Sequence, residues 1–582
     1  MPNPRSAIKP VPPEIAGIAA RHGNDPAAVL EVLRDLDTAQ GGLTPETVTA
    51  AATALGLPAS RAFGVATFYS MLSLDAPRQN VLRVCDGPVC WLARAAAGDH
   101  RIDGELLDSF ADLPAGWSVE RTSCLGLCDR APAVLVNDEQ AGPVAAAQAS
   151  EICQGWRGDL TDYSEARPGE LRVMLANAGK IDPDSIDSAL AGGAYAGLAA
   201  AFQRTPEEVL VEVENSGLTG RGGAGFPVGR KWRFVSQAAR TPKYILCNAD
   251  ESEPLIFKDR VLIDTNPHQV LEGMAIAGYA CGANEGYIYI RGEYVSQAAR
   301  LERAIQQAEA QGWLGDNIQG SGFSFHIHVH LGAGAYICGE ETALIESLEG
   351  KRGEPRLRPP YPPTYGYMGY PSNVNNVESY AAVPQIVRNG AAWYKGLSDY
   401  PMAGTKIYML LGHVNKPGLF EAPFGLTLRQ AIEDFGGGMR PGSTFKFALT
   451  GGAAGTIVPD SLLDVPIDYA SGRQGVGLGA GAFLICDQSV SVVEFLREEL
   501  RFFAAESCGK CTPCRVGTHR ALEVLTRMAA GRGRKGDVQE LHELSDVLLN
   551  SSFCGLGQSV PIPMNSALAQ FAEEFAAAEI LD

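Results

Sequence analysis

The chain has 582 residues, 46% of them hydrophobic and 20% charged, with a formal net charge of −19. That length calls for several domains with buried cores, and the negative balance argues against nucleic acid or an anionic membrane surface as a partner. No apolar run approaches the ~18 residues of a membrane span, and Met1-Pro-Asn-Pro-Arg5 carries no signal-peptide core, so a cytoplasmic protein is expected. In that reducing compartment the thirteen cysteines do not read as a disulfide framework, and clustered ones read as ligands.

Residues 1–77 carry helical signals, with apolar positions at three- and four-residue spacing (Val29, Leu30, Val32, Leu33) and Pro45 and Pro58 near helix starts. From 78 to 157 the pattern changes to short strands, Val81–Cys85, Ser118–Cys124 and Ala133–Asp138, with cysteines at strand ends. This reads as a small α/β domain. A connector over 158–205 includes an alanine-rich stretch, Leu171–Phe202, expected to be helical. Residues 206–402 alternate strands (Tyr287–Arg291, Phe323–Leu331) with helices (His268–Cys281, Tyr294–Gln311), the pattern of a nucleotide-type α/β domain. A small α+β domain with one helix, Leu426–Phe435, is expected over 403–489, and periodic helices fill 490–582.

Six glycines (Gly217, Gly220, Gly222, Gly223, Gly225, Gly229) fall within thirteen residues, and three of them satisfy G-x-G-x-x-G. Glycine there lets the backbone approach phosphate oxygens, although a glycine-rich surface turn has the same look. The apolar run Tyr244–Leu246 ends in Asn248, Asp250, Glu251 and Glu253, where a strand opening into polar residues grips a flavin or ribose. A second glycine turn, Gly332–Gly339, enters a helix at Glu340 and Glu341. Those carboxylates are either simple helix caps or contacts to ribose or nicotinamide.

Cys85-x4-Cys90 with Cys124-x3-Cys128 makes two close pairs able to hold one metal centre, iron-sulfur or zinc. Cys508-x2-Cys511-x2-Cys514 with the distant Cys554 suits an iron-sulfur cube better than a zinc tetrahedron. Cys153, Cys247, Cys281, Cys338 and Cys486 read as buried small apolar residues. His326, His328 and His330 share one strand face and read as a satisfied or solvated face rather than a metal site. Lys351-Arg352 reads as a solvated helix end.

Together GRGGAGFPVGRKW, CNADESEP, GAGAYICGEETAL, NVNNVES and ESCGKCTPCRVG…CGLG resemble the NADH-binding flavoprotein subunit of bacterial complex I. The segment to about Trp156, with CDGPVC and SCLGLCDRAP, resembles its thioredoxin-like [2Fe-2S] partner. The two are fused here, as in diaphorase subunits of NAD-linked [NiFe] hydrogenases and of some formate dehydrogenases.

The resemblance implies an N-terminal helical segment with a thioredoxin-like domain, a Rossmann-like FMN/NADH domain, a ubiquitin-like domain at 403–489, and a C-terminal [4Fe-4S] helical bundle. It implies FMN lined by Gly220, Arg221, Gly222, Gly223, Lys231, Asn248, Asp250, Glu251, Gly339, Glu340, Asn375 and Asn376. NAD(H) would meet Phe226, Phe234, Glu253, Tyr336, Glu341, Arg358 and Tyr361. The [2Fe-2S] centre would take Cys85, Cys90, Cys124 and Cys128, and the [4Fe-4S] centre Cys508, Cys511, Cys514 and Cys554.

Implied partners are an iron-sulfur electron-transfer subunit and a hydrogenase- or formate-dehydrogenase-type catalytic subunit. The alternatives are a complex I-like dehydrogenase, a non-catalytic electron-transfer scaffold and a zinc-bearing structural protein. Four positions depart from the family pattern. Leu255-Ile256 stand where glycine and threonine are usual, which removes a permissive turn residue and adds bulk near the nucleotide pocket. Arg358 and Tyr361 replace lysine and phenylalanine, keeping charge and ring.

Overall fold

The computed structural model describes residues 10–74, 78–96, 108, 110 and 113–579, so the expectation drawn from Met1–Arg5 lies outside the described residues. Four helices come first: Pro13–Arg21, Val29–Gln40, Pro45–Ala54 and Ala59–Ala66. Pro45 opens its helix behind Thr44, whose hydroxyl accepts from Thr47 N at 3.1 Å. The helices dock on the central domain through Ser70 and Met71, whose N–H groups donate to Gly334 O and Ala333 O at 2.9 and 3.0 Å.

The first sheet has the order β2-β1-β3-β4. Strands β1 (Asn80–Cys85) and β2 (Trp117–Thr122) run parallel, while β3 (Val134–Val136) and β4 (Glu139–Ala141) are antiparallel additions. Parallel pairing aligns Cys85 with Thr122, so the cysteine pairs lie at or just beyond the same ends of both strands.

The central sheet is wholly parallel, in the order β7-β6-β5-β8. Its strands are β5 (Tyr244–Ala249), β6 (Glu285–Ile290), β7 (His326–Leu331) and β8 (Ser372–Asn376). The near-continuous apolar run of β5 is what a strand covered on both faces requires. The chain builds outward from β5 through β6 to β7 and then returns to pair β8 on the other side of β5. The order therefore reverses between β5 and β8, the place where open α/β sheets bind ligands beyond their carboxyl ends.

A five-stranded sheet comes next, β10-β9-β13-β11-β12, built from β9 (Thr405–Gly412), β10 (Gly418–Pro423), β11 (Phe445–Thr450), β12 (Thr456–Pro459) and β13 (Ala482–Asp487). Its core includes Phe420 stacked on Phe435 at 4.1 Å. The helix expected at Leu426–Phe435 starts with a Thr427/Gln430 capping box and widens into a π-helical turn over Ala431–Phe435. The C-terminal helices begin at Val492–Glu506 and continue to Ala572–Ala578. Among the described residues no helix is long and apolar enough to cross a membrane.

The expected helix over Leu171–Phe202 is a correction: only Ile186–Ala191 and Ala196–Ala201 are helical. Instead of forming a helical ladder, the N–H groups of Val173, Met174 and Leu175 converge on the buried Glu421 carboxylate at 2.9 to 3.2 Å, and Pro183 interrupts the stretch beyond them. Burial pushes Glu421 up to about 7. A carboxyl raised in the folded state stabilises below its unfolded value of 4.5 and loses that contribution as pH rises towards 7, by about 3 kcal/mol for one group. Glu421→Gln is therefore expected to flatten the pH dependence of the melting temperature between pH 4.5 and 7, measured by scanning calorimetry.

Candidate nucleotide and iron-sulfur sites

The glycine loop reaches the reversal point from the side. It leaves the helix Pro206–Ser216, which ends in left-handed Gly217, and enters the helix Val228–Gln237. A Cβ on Gly222 would come within 3.2 Å of Asn376 Cβ, so the loop lies directly against the end of β8. Gly225 has φ +67°, and a Cβ there would meet the Tyr469 ring at 2.6 Å. Tyr469 in turn donates to Gly220 O at 2.7 Å, so the small α+β domain clamps the loop from above.

Three other segments close on the same place. Asn248 Nδ2 donates to Gly339 O at 2.7 Å, and Asn376 Nδ2 to Asn248 O at 3.3 Å, joining the ends of β5 and β8 to the second glycine turn. Lys231 Nζ reaches Glu341 Oε2 at 3.1 Å and Val374 O at 3.0 Å. Arg358 pairs with Glu341 at 3.1 Å and Glu340 at 3.4 Å. Glu340 also caps its helix, accepting from Thr342 N and Ala343 N at 3.0 Å, so the capping reading of the acidic pair holds for Glu340.

Phe226, Phe234 and Tyr361 are exposed, while Tyr336 lies edge-on to Phe502 at 5.0 Å and its hydroxyl donates to Glu253. Exposed aromatic faces beside glycine turns suit a stacked adenine or nicotinamide. The donor set thus fits a flavin phosphate against the glycine loop and a dinucleotide along the aromatic rim.

Three expected pocket residues are turned away or engaged elsewhere. The Arg221 guanidinium is wholly buried and turned away from the crevice, donating to Thr219 O, Tyr394 OH and Thr405 O at 2.9 to 3.1 Å. Only its backbone N–H faces the helix after β8, donating to Ser379 Oγ at 2.9 Å. The Glu251 carboxylate caps the helix Lys258–Thr265, accepting from Asp259 N at 2.8 Å and Arg260 N at 3.0 Å. Burial and the neighbouring Asp259 charge push Glu251 up to about 7. The Asn375 side-chain oxygen is already engaged by Trp232 Nε1 at 2.9 Å and Asn373 Nδ2 at 2.7 Å.

Leu255 holds the conformation a glycine would. Ile256 N donates to Glu253 O at 3.2 Å, closing a turn with Pro254 second and Leu255 third at φ +77°.

Residues that the motifs did not single out complete the site. Lys258 is buried and donates to Asn376 Oδ1 at 2.9 Å, while pairing with Asp259 at 2.7 Å and Glu378 at 3.1 Å. The run Phe257-Lys-Asp-Arg260 immediately after the acidic cluster was the available signal. The three strand histidines are each paired with a carboxylate, Asp316, Glu285 and Glu31 at 3.3, 2.8 and 2.8 Å, and of their ring nitrogens His330 Nε2 alone is buried without a partner among the described residues. Lys351 pairs with Glu346 and Glu349, and the Arg352 guanidinium lies 5.0 Å over Phe68, so that helix end is packed as well as solvated.

Cys85, Cys90, Cys124 and Cys128 are all buried, with Cys124 Sγ 3.4 Å from Cys128 Sγ. Hydrogen bonds from Cys124 and Cys90 hold the Cys85 thiol well below its usual range. In the second quartet Cys511 and Cys554 stand at the N-cap positions of Thr512–Ala529 and Gly555–Ser559, neither making a side-chain cap. Two helix N-termini facing one pocket favour an anionic group.

The four cysteines line a small cavity with Ile337, Pro355 and Lys510. Burial pushes the Cys514 thiol up to about 11 and raises Cys508 and Cys554, so thiolates there need a compensating cation such as iron. No three His, Cys, Asp or Glu side chains among the described residues form a ready single-ion site. What marks both quartets is sulfur placement and burial.

A flavin-type crevice flanked by two cysteine quartets defines a flavin and iron-sulfur oxidoreductase. Family models match in the same order: "Thioredoxin-like [2Fe-2S] ferredoxin" over 15–157, "Nuo51 FMN-binding domain" over 213–385, "SLBB domain" over 407–456, and "NADH-ubiquinone oxidoreductase-F iron-sulfur binding region" over 494–578. An NADH-quinone oxidoreductase subunit of Rhizobium meliloti is 46% identical over 407 residues, covering 70% of this chain and 97% of its own length. The "NADP-reducing hydrogenase subunit HndC" of Solidesulfovibrio fructosivorans is 46% identical over 409 residues, covering 70% and 83%.

A chain from a crystal structure of an NAD+-reducing [NiFe]-hydrogenase in the H2-reduced state superposes with a TM-score of 0.82 at 32% identity, over 96% of this chain and 94% of that one. The chain belongs to the family of FMN-binding NADH-quinone oxidoreductase subunits, with the thioredoxin-like [2Fe-2S] domain fused at its N-terminal side.

Gly225→Ala places a side chain at positive φ against Tyr469, a backbone cost of about 1–2 kcal/mol before the clash. It is expected to weaken FMN binding at least tenfold, measured by flavin fluorescence titration. Gly472→Ala, with no atom near the added Cβ, is expected to leave binding unchanged.

Proposed function

We propose that this chain is the NAD(H)-oxidising and NAD+-reducing subunit of a larger redox complex. It exchanges hydride between NAD(H) and FMN and relays single electrons through its clusters. The observation that carries this reading is that the crevice loops touch both cysteine quartets. On one side Tyr336 N donates to Glu506 Oε2 at 2.9 Å, and Ile337 lines the Cys508–Cys554 cavity. On the other, Arg291 joins Glu251 O to Cys124 O.

Bound FMN supplies the interchange between two-electron hydride chemistry and one-electron transfer. Gly220, Gly222 and Gly223 would cradle its phosphate beside Lys231, with Asn248, Asp250, Gly339 and Asn376 at the strand ends holding the ring system. Phe226, Phe234 and Tyr361 would carry the dinucleotide, with Tyr336, Glu253, Glu341 and Arg358 orienting its ribose and nicotinamide. Arg221, Glu251, Glu340 and Asn375 position these loops from behind. The thioredoxin-like quartet would hold [2Fe-2S] and the C-terminal quartet [4Fe-4S]. The domain limits follow as 78–157, 206–402, 403–489 and 490–582, joined by the N-terminal helices and the 158–205 connector.

Val516, Phe553 and Ile562 are exposed on or beside the helices that hold the C-terminal quartet, which favours docking of an iron-sulfur partner there. The fusion and the likeness to the hydrogenase chain over 96% of the residues favour a hydrogenase- or formate-dehydrogenase-type complex in the cytoplasm. The 46% identity to the Rhizobium meliloti protein keeps a complex I-like parent as the second reading.

Purified protein is expected to hold about six iron and six acid-labile sulfide per chain and to lose its flavin absorbance on adding NADH. Cys511→Ser should abolish flavin-to-cluster transfer by stopped-flow while leaving that bleaching intact. Persistence of the transfer would overturn the assignment. Nickel in the intact complex would mark a hydrogenase, and molybdenum or tungsten a formate dehydrogenase. Iron alone would favour the complex I reading.

A further inference from the structure

Arg291 leaves the carboxyl end of β6 and is 2% exposed, one of the largest buried side chains in the molecule. Its guanidinium is divided between two loops. Nη2 donates to the carbonyl of Cys124 at 2.5 Å, Nη1 to the carbonyl of Glu251 at 2.6 Å, and Nε to Glu293 Oε2 at 2.9 Å. The two loops are locked elsewhere as well. Tyr294 OH donates to Glu251 Oε2 at 3.1 Å, and Arg260 donates to Gly126 O at 3.2 Å and Asp129 at 2.7 Å. Glu293, 4% exposed, is the carboxylate paired directly with the guanidinium.

We infer that Arg291 is a positioning residue that sets the reduction potential of the [2Fe-2S] centre, with Glu293 as its counterweight, and ties that centre's loop to the nucleotide crevice. This rests on Cys85, Cys90, Cys124 and Cys128 holding that cluster. The physical basis is direct. Adding an electron to a cluster adds negative charge in a medium that screens poorly, so a fixed cation close to a ligand residue favours the reduced form. A hydrogen bond to the ligand residue's carbonyl also holds the loop that aims the sulfur. The carboxylate on the same guanidinium acts in the opposite sense, so removing each partner should move the potential in opposite directions. A purely structural brace has no such sign.

The test is a redox titration of the purified chain followed by electron paramagnetic resonance, with the [4Fe-4S] signal as internal reference. Arg291→Gln, which keeps a donor but loses the charge, is expected to lower the reduced-to-oxidised ratio of the [2Fe-2S] centre at least tenfold at fixed potential, about 59 mV for one electron. Glu293→Gln is expected to raise that ratio, and Arg291→Lys to stay within threefold of wild type. The [4Fe-4S] potential should not follow. No shift in either glutamine variant, or shifts of the same sign, would overturn the inference. If Arg291→Gln fails to assemble, the direction of the Glu293→Gln shift decides alone. Absence of any [2Fe-2S] signal in the wild-type protein would instead remove the cluster assignment beneath it.

Discussion

Parallel pairing of β5 with β6 on one edge and β8 on the other is the constraint on which the rest of the structure depends. Because the chain order reverses at that seam, the loops after β5 and β8 diverge and leave a crevice whose walls are strand ends. Asn248 and Asn376 stand on either wall, and the polar groups exposed there cannot all be met by backbone pairing. The protein answers with a buried charge cluster behind Asn376: Lys258, Asp259, Glu378 and Lys406, with Lys406 donating to Glu378 at 2.7 Å. Burial pulls Lys406 down to about 8, which shows the desolvation cost of such an arrangement. A charged cluster of this kind adds little stability of its own. It fixes instead where Asn376 points, and through it the end of β8.

The same logic places the cysteines. In the thioredoxin-like domain the cysteine pairs lie at or just beyond the ends of two parallel strands, and in the C-terminal domain two of the four cysteines stand at helix N-termini without side-chain caps. At those helix N-termini backbone donors end without an internal partner. Anionic centres can therefore be held where neutral side chains would leave those donors unmet.

Much of this was legible in the sequence because it is local. Cysteine spacings, the glycine loop and the polar residues closing Tyr244–Ala249 each encode their role within a few positions. What was not legible depends on partners far along the chain. The Arg221 side chain turns out of the glycine loop because Tyr394 and Thr405 wait on the other side. Residues 171–175 abandon a helix because Glu421, about 250 positions away in sequence, offers a buried acceptor. Arg291 looked like the polar end of a strand, and nothing in YIYIRGEY announces that it spans two loops.

Leu255 shows how a departure from the family motif can leave the site unchanged. A leucine at φ +77° costs about 1–2 kcal/mol relative to glycine, but Leu255 is wholly buried, and burying such a side chain returns about 1.5–3 kcal/mol. The two terms nearly cancel. The turn therefore survives, and Glu253 stays bonded to Tyr336 and to Ala454 N at 2.9 Å. The bulk of Leu255 goes into the core rather than into the crevice, which leaves the Glu253 carboxyl at this corner. An acidic group at a ribose site accepts hydroxyls and repels a 2′-phosphate. With a dinucleotide ribose seated at this corner, Glu253 would carry the discrimination between NAD(H) and NADP(H), and Leu255 would act on it only by holding the turn.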